Sequence, residues 1–107
     1  QLEKVHALPL PDGEKNAYYK YPLTLAEGLD RLEVKEKLEK DFGVKSGTSY
    51  WPPCHLQPAY RERYGFKEGD YPRAEAVLNQ TIALPMHCHL TDEEVRRVIA
   101  AVQAVAG

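Results

Sequence analysis

The C-terminal segment leaves the chain little freedom. Thr91-Asp-Glu-Glu94 has the hydroxyl-to-carboxylate spacing of a capping box, and Leu90 and Val95 flank it as a hydrophobic staple. Beyond it Val95, Val98, Ile99, Val102 and Val105 recur at helical spacing along one face. Such a stripe must be covered by another layer, and a sheet beneath it is the expectation.

The remaining segments supply that sheet and further helices. From Ala17 to Leu25 the odd positions Ala17, Tyr19, Tyr21, Leu23 and Leu25 alternate with Tyr18, Lys20, Pro22 and Thr24, the period of a half-buried strand. Pro22 lacks an N–H, which predicts an edge position. Asp30 as N-cap, Glu33 three residues on, Val34 and Leu38 on one face and Gly43 as terminator predict a helix. Val44 to Trp51 reads as a second strand, interrupted by Gly47 and ended by Pro52-Pro53. A short helix over Pro58–Tyr64, a charged loop from Phe66 to Tyr71, a helix from Pro72 burying Ala74, Val77 and Leu78, and a strand over Thr81–Met86 complete the order. The fold class is α+β, a small mostly antiparallel sheet of about three strands with helices packed on it. Leu8-Pro-Leu-Pro-Asp-Gly13 is linker and turn chemistry, so residues 1–16 read as a linker or leader and 17–107 as the domain. A chain that starts at Gln1 without signal or transit features reads as one that begins partway through a larger protein.

Charge and cysteine usage narrow the function classes. With 14 basic and 16 acidic residues interspersed, no basic face is available to follow phosphates along a nucleic acid. No apolar run approaches the ~20 residues of a membrane-spanning helix. Cys54 and Cys88 stand alone, unlike the cysteines of a secreted disulfide framework, and fit a reducing, cytoplasmic setting. Gly43-Val-Lys-Ser-Gly47 lacks the spacing of a phosphate loop.

Polar chemistry concentrates in Tyr50-Trp-Pro-Pro-Cys-His-Leu-Gln-Pro-Ala-Tyr60. Its prolines limit the entropy lost on ordering, and its aromatic and polar side chains suit stacking on or hydrogen bonding to a polar ligand. A structural reading stands beside this one, with Trp51 and Tyr60 as core aromatics and His55 as a capped turn residue. Cys54-His55 and His87-Cys88-His89 supply metal-binding atom types but not the separations that aim two ligands at one ion. Cys54 as a nucleophile needs a base from elsewhere in the fold, because adjacent His55 points away in an extended loop.

These residues, read together, carry a resemblance to a known family. Ala17-Tyr-Tyr-Lys-Tyr-Pro22, Tyr50 to Tyr60, Gly69-Asp-Tyr-Pro-Arg-Ala-Glu75, Ala83-Leu-Pro-Met86 and Leu90-Thr-Asp-Glu-Glu94 follow in order. The sequence resembles the C-terminal part of the DegT/DnrJ/StrS aminotransferases. The resemblance implies the C-terminal small domain of a fold-type-I pyridoxal phosphate enzyme, acting as a homodimer on a keto-sugar nucleotide with an amino donor, glutamate. It also implies an upstream large domain holding the cofactor lysine. No lysine here lies in a Schiff-base motif, so no catalytic or cofactor-binding residue and no metal are expected on this chain, nor pyridoxal phosphate bound to it alone. The family loop beside the sugar commonly opens with histidine and tyrosine; these positions read Tyr50 and Trp51. That substitution implies an altered pocket, with Tyr50, Trp51 and His55 on the substrate side and Gln57 and Tyr60 structural. The competing expectation is a free-standing small-molecule binding or interaction module that kept the fold without the catalytic domain.

Overall fold

A computed structural model describes residues 3–106. Three antiparallel strands form one sheet in the order β1 (Val5–Ala7), β2 (Tyr21–Leu25), β3 (Thr81–Leu84). Four helices accompany it: α1 (Arg31–Phe42), α2 (Pro58–Tyr64), α3 (Pro72–Asn79) and α4 (Asp92–Ala106). The expected α+β class stands; β3 lies within the expected Thr81–Met86, and the other strands depart from expectation.

The stretch read as a linker contains β1, whose Val5 pairs with Leu25 and Ala7 with Leu23. The alternation predicted from Ala17 is a strand only from Tyr21, and that strand is central rather than an edge. Register explains how Pro22 is accommodated. Ala83, its partner on β3, turns its own N–H and C=O away toward Gly47. The nitrogen of Pro22 therefore faces the β1 side, where β1 has already ended opposite Leu23, and no ladder bond is lost.

The predicted strand Val44–Trp51 reduces to a single bridge. Gly47 and Ala83 exchange both backbone hydrogen bonds, at 2.7 and 3.0 Å, and no further residue of the segment joins the sheet. The helix signals hold better. Asp30 Oδ1 accepts from the Glu33 N–H at 2.9 Å, and Gly43 closes α1 at φ 65°, a conformation that favours glycine. Thr91 and Glu94 form the reciprocal capping box at the start of α4.

One sheet face carries Leu23, Leu25 and Ile82 into a core with Val34 and Leu38 of α1 and Ala101, Val102 and Ala106 of α4. Leu25, Leu38 and Ile82 are only 1% exposed, and burial of each contributes about 1.5–3 kcal/mol. Two predicted packing faces are only partly covered. In α4, Val102 is buried whereas Val95 and Ile99 remain 41% and 52% exposed. In α3, Val77 is exposed rather than inward, Ala74 is exposed and Leu78 is half-buried. Among the described residues no helix is long and apolar enough to cross a membrane.

Candidate functional site

After the Gly47 bridge the chain leaves the sheet and runs through Ser49, Tyr50 and Trp51 into Pro52-Pro53, then a single 3-10 turn over Cys54–Leu56. Tyr50 holds φ 113°, a left-handed-side conformation that costs a non-glycine residue about 1–3 kcal/mol. The surroundings keep it there. Gln57 Nε2 donates to the Pro52 carbonyl at 2.8 Å, closing the loop on itself, in keeping with a structural role. Pro53 is fully buried beneath it.

Tyr50 and Trp51 are both exposed, and each carries a cation on its ring. Lys20 Nζ lies 4.1 Å from the Tyr50 centroid and the Arg31 guanidinium carbon 4.5 Å from that of Trp51. Lys20 comes from the segment entering β2 and Arg31 from the first position of α1, so three separate parts of the chain meet at this loop. Neither cation was singled out by sequence reasoning, because cation–aromatic pairing across the fold leaves no spacing signal.

His55 is placed differently. It is 7% exposed, its Nε2 lies 2.8 Å from Glu75 Oε1, and the Tyr71 ring tilts against it at 4.9 Å. Glu75, from α3, also accepts from the Gly69 N–H at 2.9 and 3.1 Å and from the Tyr71 N–H at 3.4 Å. The Gly69 amide first, then His55 and Tyr71, hold this carboxyl below the ordinary glutamate range. With Glu75 ionised, His55 Nε2–H is the donor. The pair ties the 3-10 turn to the Lys67–Tyr71 loop. His55 also walls a groove of about 390 Å³ with Tyr60, Phe66, Tyr71 and Leu78. Tyr60 is 48% exposed and stacks on Tyr64.

Among the described residues no group of three or more His, Cys, Asp or Glu is placed to hold a metal ion. Cys54 and Cys88 are free and exposed.

Residues 1–103 match the DegT/DnrJ/EryC1/StrS aminotransferase family. The chain is 35% identical over 89 residues to a dTDP-4-dehydro-2,3,6-trideoxy-D-glucose 4-aminotransferase of Saccharopolyspora spinosa, covering 83% of this chain and 21% of that protein. Among solved structures it is similar to DesV of S. venezuelae in complex with a ketimine intermediate, at 30% identity and TM-score 0.82, over 98% of this chain and 27% of that one. The PLP form of the sugar aminotransferase Spr1654 from Streptococcus pneumoniae matches at 30% identity and TM-score 0.82, over 96% of this chain and 26% of that one. The chain thus spans about a quarter of the length of the curated relatives it matches.

Proposed function

The chain belongs to the DegT/DnrJ/EryC1/StrS aminotransferase family, and we propose that it is the C-terminal small domain of a pyridoxal-phosphate-dependent enzyme that moves an amino group from an amino acid, glutamate, to a keto-sugar nucleotide. In this reading the domain supplies one wall of the substrate cleft. Tyr50 and Trp51 face the sugar substrate, and His55, paired with Glu75, holds the loop that presents them. The observation that carries the reading is the exposed Tyr50–Trp51 pair on a loop pinned at both ends, in a chain whose similarity to sugar aminotransferases runs nearly end to end.

Pyridoxal phosphate requires a lysine in an enclosed pocket and an acidic partner for its ring nitrogen, and when bound it supplies the electron sink. The lysines of the described residues are exposed or half-buried; Lys40 and Lys45 pair with Glu36 and Glu39, and Lys20 rests on Tyr50. They do not assemble such a site. The cofactor belongs to the larger part of the parent, and this chain alone is inactive.

Shape supports a larger parent over a free-standing module. The chain exposes 8106 Å², roughly one third more than the ~6,000 Å² of a compact monomer of this length. We assign part of that excess, around Leu84, Met86, Val95 and Ile99, to packing against the large domain of a homodimeric enzyme.

The test is kinetic, in the full-length protein. Tyr50→Ala is expected to lower kcat/KM for the keto-sugar nucleotide about tenfold, the loss of one stacking or hydrogen-bonding contact. The rate at which glutamate converts the bound cofactor to its amine form should not change. Unchanged sugar kinetics would remove Tyr50 from the substrate side.

A further inference from the structure

We infer that Arg31 is an oxyanion-binding residue of the cleft, holding a phosphate or carboxylate of a substrate beside Trp51. The inference rests on the reading of the Tyr50–Trp51 loop as substrate-facing and assigns a charge-recognition role to a residue on another element.

Arg31 is 5% exposed. Its Nε is cut off from solvent without a hydrogen-bond partner, and among the described residues no carboxylate lies within ion-pair distance of it. Its one described contact of an electrostatic kind is the Trp51 ring. A guanidinium carries five N–H donors, and the ring offers none of them an oxygen acceptor. A guanidinium taken out of water without an anion is strongly disfavoured, and buried charges are retained where something pairs with them. Carboxylates are not scarce, since the chain has 16 acidic residues; none is placed here.

The segment leading into Tyr50 and Trp51 has unmet hydrogen-bonding groups of its own. Among the described residues the other two buried side-chain polar atoms without a partner are Ser46 Oγ and Ser49 Oγ, both in that segment. Both hydroxyls are hydrogen-bond donors in need of an acceptor. Lys20, on the neighbouring Tyr50 ring, likewise has no ion-pair partner among the described residues. Two consecutive aromatic residues thus each hold a cation lacking a counter-ion, on a protein of net charge −2. A planar fork of donors recognises an oxyanion through two parallel hydrogen bonds. Two sources present one: the phosphates of a nucleotide-linked sugar and the carboxylate of the amino donor.

The experiment uses the full-length, cofactor-loaded protein with thymidine diphosphate and L-glutamate as separate probes, the first followed by calorimetry and the second by the absorbance of the cofactor. Arg31→Met is expected to weaken one probe at least tenfold, and that probe identifies the source. Arg31→Lys, which keeps the charge and loses the fork, should weaken the same probe several-fold. Without ligand, Arg31→Met should melt no lower than the parent, because it removes an unpaired buried cation. Dissociation constants within twofold of the parent for both probes in both variants would overturn the inference. Should Arg31→Met fail to fold, Arg31→Lys decides by the same criterion. Tyr50→Ala run in parallel separates the two readings: impaired sugar turnover there with intact probe binding in the Arg31 variants leaves the loop assignment standing and removes only the anion site.

Discussion

His55 and Glu75 lie 20 positions apart and depend on each other. The histidine is buried and donates to a carboxylate that also receives two backbone N–H groups, so removing the ring leaves a gap and a deprived acceptor. His55→Ala is expected to reduce stability by about 2 kcal/mol, measured by urea unfolding. The pH dependence follows from Glu75. Its carboxyl is held below the ordinary value of 4.5, chiefly by the Gly69 amide, so its contribution is complete above that value and is lost as pH falls through the lowered one. Glu94, lowered by its bonds to Thr91, adds in the same direction. Melting temperatures recorded from about pH 6 to about pH 3 should fall less steeply in Glu75→Gln than in the unaltered chain.

At the scale of elements, local signals carried the helices. Asp30 caps α1 through the Glu33 N–H, and Asp30→Ala should cost about 1 kcal/mol in a thermal or chemical melt. Such caps are legible because donor and acceptor sit within one turn of each other. Strands are not local in this sense. Val44 to Trp51 has β-forming residues, yet only Gly47 reaches β3, because the segment must then turn through Tyr50 into two prolines. Val5–Ala7 was hidden for the converse reason: three residues carry no period, and their strand character comes from pairing with β2.

For the whole molecule, the radius of gyration is 15.5 Å, against ~13 Å for a compact domain of this length. An open apolar groove of about 520 Å³ contributes to that loose outline, lined by residues that include Leu84, Met86, Leu90, Val95 and Ile99. Exposed apolar area of this kind favours association. The isolated chain is expected to self-associate at micromolar concentration, and Ile99→Glu to shift it toward monomer, both read by light scattering. A monomer at all concentrations would argue against this face as an interface.

The sequence by itself determined the helix caps, the α+β class and, through motifs in order, the family and the loop from Tyr50 to Tyr60. These depend on residues close together along the chain. Only the tertiary structure decided that Pro22 sits in a central strand, that His55 turns inward to Glu75, and that Lys20 and Arg31 rest on Tyr50 and Trp51. Each joins residues from separate elements, and the free energy that selects it, burial with hydrogen bonding or charge on an aromatic face, exists only once the sheet and helices have brought them together.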